Sequence, residues 1–129
     1  MKIIWTNGCF DILHRGHIEL FKYAKSLGDK LFVGIDSDQK VKQDKGFPRP
    51  INNQEDRRII LESIRYIDEV CIFDSKDGLE KIIKGLAPAV MVIGSDWRGK
   101  EVVGEHYVKK LEFFDRIGDY STTNVLKRR

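Results

Sequence analysis

Residues 2–20 read KIIWTNGCFDILHRGHIEL, and this stretch decides the fold. The run KIIW is short and rich in β-branched residues, and the turn-forming residues TNG follow it, so it predicts a buried strand that ends near Thr6. From His17 to Leu27 apolar residues recur at helical spacing, and Gly28 follows as a C-terminal cap. The chain is therefore expected to begin with a strand, a polar turn and a helix.

The same alternation of strands and helices continues along the chain. KLFVGID, EVCIF and AVMVIG predict strands, while EDRRIILESIRYI, capped by Asn53, and DGLEKIIKGL predict helices. A short helix in VVGEHYVKK, a strand in LEFFDRI and a terminal helix begun by Ser121 follow. The polar stretch SDQKVKQDKGFPRPIN, with Pro48 and Pro50, predicts a long loop. We expect one α/β domain over residues 1–129, a doubly wound parallel sheet with helices on both faces.

The helix in EDRRIILESIRYI is expected to bury one apolar stripe and to expose its charged side. Arg57 and Arg65 fall on the exposed side in this interpretation. The residues of the buried stripe are Ile59, Ile60, Ser63, Ile64 and Ile67.

Composition limits the classes of function. Of the 129 residues, 41% are hydrophobic and 33% are charged, as in ordinary globular domains. The 23 Lys and Arg are interspersed with 20 Asp and Glu, which argues against a nucleic-acid partner. The apolar runs are shorter than the roughly 20 residues that cross a bilayer, so no membrane association is expected. Cys9 and Cys71 lie in apolar runs without metal-ligand spacing, which indicates buried free thiols and a cytoplasmic location.

Polar residues collect directly after the predicted strands, where ligands bind in doubly wound sheets. His14 and His17 share one face at the start of a helix, and Gly16 lets a ligand approach the backbone. A helix N-terminus favours a phosphate group, and two imidazoles there donate hydrogen bonds as charge builds in a transition state. A zinc site needs further ligands, and His106 lies far along the chain. The pattern predicts a phosphate site without a metal held by the protein.

The phrase GCFDILHRGH resembles the HxGH signature of the cytidylyltransferase-like nucleotidyltransferases, and STTN resembles the second signature of that family. The resemblance extends over nearly the full chain. It implies a Rossmann-like domain that transfers a nucleotidyl group from a nucleoside triphosphate to a small phosphorylated acceptor, with release of pyrophosphate. It also implies Mg²⁺ bound mainly through the nucleotide phosphates, and a homodimer.

The resemblance further assigns roles to individual residues. His14 and His17 hold the triphosphate and stabilise the α-phosphorus during in-line attack, and Lys42 and Lys45 are candidate phosphate contacts. Asp11 braces the turn before the helix. The implied nucleotide-binding residues are Gly8, Cys9, Phe10, Asp11, Gly16, Asp96, Trp97, Arg116, Ser121 and Thr122. The residues implied near the acceptor phosphate or a subunit contact are Arg57 and Arg65.

The sequence carries features of two subfamilies. ILESIRYIDEV, GSDWRGK and the position of Arg116 resemble glycerol-3-phosphate cytidylyltransferase, although RIGDYS stands where the family has RTxGIS. TNGCFDILH, KGFPRPIN, EVVG and STTNVL resemble the adenylyltransferase domain of heptose-1-phosphate enzymes. CTP is favoured over ATP on the first set. A nucleotide-binding module without catalysis is the alternative from another class, because a fold does not fix a function.

Overall fold

A computed structural model of the chain describes residues 1–115. Within these residues, five strands and four α-helices alternate with two short 3₁₀ turns. The elements in chain order are β1 (Ile3–Gly8), α1 (Arg15–Ser26), β2 (Lys30–Asp36), α2 (Asp38–Lys45), α3 (Gln54–Glu62), β3 (Glu69–Phe73), α4 (Lys76–Leu86), β4 (Val90–Gly94), the turns Ser95–Trp97 and Glu105–Tyr107, and β5 (Lys110–Phe114). The predicted terminal helix with Ser121, and Arg116 and Thr122, lie outside the described residues.

The five strands form one parallel sheet in the order β3-β2-β1-β4-β5. The chain reverses its direction of winding beside the central strand β1, where Ile4 and Trp5 are fully buried. A crevice for ligands lies at such a switch point, outside the carboxyl ends of the strands. The expected Rossmann-like parallel fold is confirmed, and β1 continues to Gly8 instead of ending near Thr6.

Helices cover both faces of the sheet. On one face, Phe21 of α1 and Leu61 of α3 belong to a core cluster with side chains of β1 and β2. On the other face, Ile83 of α4 packs in a cluster with Trp5. Gly34 of β2 makes room for the Trp5 indole, because a Cβ atom there would lie 2.5 Å from its Cζ2 atom. Both apolar faces of the sheet are thus buried, as its nearly continuous apolar strands predict.

A helix replaces the first part of the predicted long loop. Residues 38–45 form α2, capped by the Ser37 hydroxyl, which accepts a hydrogen bond from the Lys40 amide at 3.2 Å. The helix buries Val41 completely. One buried apolar side chain among charged ones leaves no helical periodicity, and this is why the sequence pattern favoured a loop. The loop prediction was wrong for α2.

The inward face of α3 also differs from its prediction. Ile59 and Ile60 are 51% and 43% exposed, whereas Arg57 is only 1% exposed. The helix instead buries Arg57 and Leu61, four residues apart, and ends at Glu62. The predicted buried stripe was wrong at Ile59, Ile60 and Ser63, which are exposed, because the polar contacts of Arg57, described below, turn that residue inward instead.

Three smaller features complete the comparison with the sequence. Leu27, not Gly28, is the C-cap of α1, and a Cβ at Gly28 would lie 2.8 Å from the Ile4 side chain, so close packing requires this glycine. The helix predicted in VVGEHYVKK is the short 3₁₀ turn Glu105–Tyr107. Cys9 and Cys71 are free thiols and half-buried.

No helix among residues 1–115 is long and apolar enough to span a membrane.

Candidate active site

The two histidines form a reciprocal cap at the start of α1. His14 is the N-cap residue, and its Nδ1 atom accepts a hydrogen bond from the Gly16 amide at 3.0 Å. The Nδ1 atom of His17 in turn accepts from the His14 amide at 3.2 Å. The imidazoles thus take the places that Ser or Thr and Glu occupy in an ordinary capping box. The three-residue spacing of the two histidines is therefore the spacing that this reciprocal cap uses.

This capping fixes which ring nitrogen of each neutral imidazole carries the proton. A neutral imidazole whose Nδ1 atom accepts a hydrogen bond carries its proton on Nε2. The rings of His14 and His17 stack with their centroids 3.8 Å apart. Burial, with a smaller contribution from His14, lowers the pKa of His17 to about 4. His17 is therefore a neutral hydrogen-bond donor at pH 7.

The low pKa of His17 predicts a pH dependence of stability. Between pH 6.5 and 4 the unfolded chain binds a proton at His17 that the folded chain does not bind, so the free energy of unfolding falls as pH falls through this window. We expect a loss of up to roughly 3 kcal/mol from this group. Urea unfolding at pH 7 and 4.5, of wild type and of His17→Asn, isolates the contribution. An equal pH dependence in both proteins would contradict it.

The turn before α1 holds a residue in an uncommon backbone conformation. Phe10 has φ of 49°, in the left-handed region, and its ring packs edge-on against His17 and Phe21. A Cβ atom at Gly8 would lie 3.1 Å from the Phe10 ring, so a larger residue there would press against this ring. Burial raises the pKa of the Cys9 thiol despite nearby positive charges. Cys9 therefore remains protonated at pH 7 and does not act as a thiolate nucleophile.

Asp11 braces the loop after α2 rather than capping α1. Its side chain is fully buried; Oδ2 accepts from the Ile51 amide and from Arg49 Nε, and Oδ1 accepts from the Asn52 amide, all at 2.7–2.8 Å. Burial alone would raise the pKa of the Asp11 carboxyl, but these donors outweigh it and lower the pKa. The resemblance implied that Asp11 braces the turn before α1, whereas its carboxylate binds the loop that follows α2. The sequence analysis did not identify the partner Arg49.

Arg57 is a buried link between three segments of the site. Its Nη1 atom donates to the carbonyl oxygens of Cys9 and Asp36, at 3.0 and 2.7 Å. Its Nε atom donates to the Asn52 carbonyl at 3.0 Å, and Nη2 donates to the Asp38 carboxylate at 2.9 Å. The placement of Arg57 on the exposed side was wrong, because three backbone carbonyls and the Asp38 carboxylate hold the guanidinium in the interior. Its implied role near the acceptor phosphate stays a prediction.

A cavity of about 390 Å³ opens at the carboxyl ends of the strands. Gly8 and Cys9 form part of its wall and lead directly into the turn before α1. Lys45 lines this cavity, while Lys42 lines a separate, more open depression. The remaining lining residues are Asn7, Asp36, Lys40, Asp44, Phe73, Lys76, Leu79, Ile93, Trp97, Val102 and Val103. Of the two candidate lysines, the structure thus brings Lys45 to the turn that precedes the histidines.

The other candidate residues are spread more widely. Asp96 and Trp97 lie in the 3₁₀ turn after β4, and Trp97 is a wall of the cavity with 46% of its surface exposed. Arg65 is exposed and lies over the Tyr66 ring. Arg116, Ser121 and Thr122 lie outside the described residues, so their predicted roles stay predictions. The sequence analysis missed Asp36, the last residue of the strand predicted in KLFVGID, and Lys76, which lies three residues after the strand predicted in EVCIF.

No group of three or more His, Cys, Asp or Glu side chains suited to a metal ion occurs among residues 1–115. The acidic residues of the cavity, Asp36 and Asp44, are engaged with Lys40.

A family model described as cytidylyltransferase-like matches residues 5–127 of the chain. The chain belongs to the cytidylyltransferase-like family. This membership confirms the resemblance and the expectation of a nucleotidyltransferase.

Curated relatives extend the family assignment. The chain is 47% identical over 127 residues to bifunctional protein HldE of Campylobacter concisus, and 45% identical over 127 residues to the protein of that name in Wolinella succinogenes. These alignments cover 98% of this chain but 27% of each relative. The chain thus spans about a quarter of the length of the curated relatives that it matches.

Solved structures support the fold. A crystal structure titled as the lipopolysaccharide core biosynthesis protein from Thermoplasma volcanium GSS1 superposes with a TM-score of 0.72 and 24% identity. The match covers 94% of this chain and 99% of that one. At this identity the likeness concerns the fold alone.

Proposed function

We propose that this cytidylyltransferase-like domain transfers an adenylyl group from ATP to a sugar 1-phosphate and releases pyrophosphate. The observation that carries the proposal is the identity of 47% with a bifunctional protein HldE over 98% of the chain. The segments TNGCFDILH, KGFPRPIN and EVVG support it, since they resemble a heptose-1-phosphate adenylyltransferase domain. The relatives do not support the cytidylyl preference expected from the sequence.

The segment KGFPRPIN is attached to the candidate site by hydrogen bonds to Asp11. Arg49, Ile51 and Asn52 of this segment are the donors that bind the buried Asp11 carboxylate. The segment is therefore fixed against the turn that leads to the histidines. Since Lys45 begins the same segment, its backbone is anchored close to the candidate phosphate site.

The triphosphate is proposed to bind at the start of α1. The Nε2–H groups of His14 and His17 then donate to phosphate oxygens, and the helix dipole stabilises their negative charge. A phosphate oxygen of the acceptor attacks the α-phosphorus, the bond from that phosphorus to the β-phosphate bridge oxygen breaks, and pyrophosphate leaves. The nucleophile is already anionic, so no general base is needed. Preorganised hydrogen-bond donors and in-line positioning of the reactants accelerate the transfer.

The acceptor is proposed to occupy the cavity beside this turn. A volume of about 390 Å³ is within the range of small-ligand pockets. Lys45 and Lys76 provide positive charge for its phosphate, and Trp97 provides an aromatic wall for its carbon skeleton. Mg²⁺, bound mainly through the triphosphate oxygens, would neutralise charge on the phosphates.

Pyrophosphate release tests the proposed reaction. The protein with magnesium is assayed with ATP, CTP, GTP and UTP, each against a heptose 1-phosphate and against glycerol 3-phosphate. Turnover with ATP and the sugar phosphate supports the proposal, whereas turnover with CTP and glycerol 3-phosphate replaces it with the cytidylyl alternative. ATP binding without turnover on any acceptor would support a non-catalytic module. The expected homodimer stays a prediction, which a molar-mass measurement in solution checks.

The two candidate lysines give a matched pair of variants on one helix. Lys45→Gln is expected to lower kcat/KM by roughly 10- to 100-fold, because a hydrogen bond to a charged group is lost. Lys42→Gln makes the same change outside the cavity, and its kcat/KM is expected to stay within about threefold of wild type. Steady-state kinetics with ATP and the sugar phosphate measures both. The reverse ranking would move the phosphate contact to Lys42.

A further inference from the structure

Asp36, a carboxylate in a cavity proposed for an anionic ligand, is the least expected residue of the site. It is the last residue of β2, and 16% of its side chain is exposed. Burial raises the pKa of the Asp36 carboxyl, with Lys40 opposing this effect. A negative charge here repels a phosphate placed beside it. Asp36 must therefore face a part of the ligand other than its phosphate.

The carboxylate is held in place but keeps its capacity to accept hydrogen bonds. The Asp36 backbone is fixed because its carbonyl accepts from the buried Arg57 at 2.7 Å. Lys40 Nζ lies 3.7 Å from the Asp36 carboxylate but 2.7 Å from that of Asp44, so Asp44 holds the ammonium more closely. A carboxylate offers about four lone-pair sites. This long ion pair leaves most of them for a ligand.

Hydroxyl groups are the ligand groups that suit such a carboxylate. They donate short, charge-assisted hydrogen bonds to it, and a polyol or sugar carries several of them next to an apolar ring face. The same cavity has Trp97 and Phe73 as aromatic walls and Lys45 and Lys76 as cations. An aromatic wall, a carboxylate and cations together match the carbon skeleton, hydroxyls and phosphate of one sugar phosphate.

We propose that Asp36 accepts hydrogen bonds from hydroxyl groups of the acceptor and so determines which acceptor this domain uses. This inference rests on the proposed function in that it takes the cavity to be the acceptor site. It goes beyond that function by naming the group that selects a polyhydroxylated acceptor. It does not depend on which nucleotide is the donor.

The variant Asp36→Asn tests the proposal, because the amide keeps the shape of the side chain but replaces one acceptor oxygen by a donor. The KM for the sugar 1-phosphate is expected to rise by roughly 10- to 100-fold. The KM for ATP and kcat are expected to stay within about threefold, since the bound phosphates do not contact this residue. An unchanged KM for the acceptor, or a rise in the KM for ATP instead, would overturn the proposal.

Two further variants separate direct recognition from indirect effects. Asp74→Asn makes the same substitution at an exposed position just after β3 and outside the cavity, and should behave like wild type. Asp44→Asn removes the closer partner of Lys40 and leaves the Asp36 carboxylate, so the acceptor KM should rise less than in Asp36→Asn. An equal rise in both variants would mean that Asp36 acts only through Lys40, against the proposal. Thermal unfolding of each variant confirms that it is folded.

Deoxy acceptors identify the hydroxyl and give an independent readout. In wild type, removing the recognised hydroxyl should weaken the acceptor by the same factor as Asp36→Asn, and in Asp36→Asn it should cause no further loss. If, for every deoxy acceptor, the loss of binding caused by the missing hydroxyl simply added to the loss caused by Asp36→Asn, the proposal would be overturned.

Calorimetric titration of the sugar 1-phosphate covers the case in which the proposed function fails. If wild type shows no turnover with any donor and acceptor pair, the proposed function is wrong. Weaker sugar-phosphate binding by Asp36→Asn than by wild type would still support hydroxyl recognition by Asp36. Equal binding, or no binding to wild type, would overturn it.

Discussion

His14→Asn is expected to lower kcat by roughly 10²- to 10³-fold while the protein stays folded. Asparagine is a preferred N-cap residue, and its Oδ1 atom takes the place of the imidazole Nδ1 that accepts from the Gly16 amide. It carries no N–H at the position of Nε2. The variant therefore separates the capping role of His14 from its role as a donor to phosphate. The rate is measured by pyrophosphate release at saturating substrates.

Two comparison variants make this result specific. His14→Ala removes the cap as well as the donor, so it should lose about 1 kcal/mol of stability in addition to the rate. His106→Asn makes the same change in the 3₁₀ turn Glu105–Tyr107 and should keep the wild-type rate. Turnover of His14→Asn within a few-fold of wild type would show that the imidazole does not act on the transition state.

Arg57→Met is expected to lower the free energy of unfolding by about 3–5 kcal/mol, as when one partner of a buried ion pair is removed. The change leaves the carbonyls of Cys9, Asp36 and Asn52 without their donor and the Asp38 carboxylate without its partner. Methionine fills a similar volume, so the loss reflects these polar contacts rather than an empty space. Urea unfolding at pH 7 measures it.

Arg58→Met is the matched control for this prediction. Arg58 is the next residue of α3 and pairs on the surface with Glu55 and Glu62. Pairs of this kind contribute about 0–1 kcal/mol, so the control should unfold nearly like wild type. If Arg57→Met instead kept wild-type stability and raised the KM for the acceptor, the residue would bind the acceptor as the sequence suggested.

The fold and the histidine pair could be predicted from the sequence because their signals are local. The strands are nearly continuous apolar runs between turns, and α1 shows its period directly. His14 and His17 interact across three residues, inside one helical turn. Short-range geometry of this kind follows from spacing alone.

The parts that could not be predicted depend on contacts between distant segments. Helix α2 has a single buried side chain, Val41, and its place is set by packing rather than by periodicity. The hydrogen bond from Arg57 to the Cys9 carbonyl joins residues 48 positions apart. Arginine at an otherwise polar helical position is normally exposed, so no sequence rule places it inside.

The sequence by itself determined the family fold, the order of its strands and the pair of histidines at a helix start, because hydrophobic runs and caps act over a few residues. The tertiary structure decided which charged groups meet at the strand ends. It buried Arg57, brought Lys45 rather than Lys42 to the cavity and placed the Asp36 carboxylate in its wall. The reason is that a side chain's surroundings come from several strands and helices at once, and their mutual placement has no local signature.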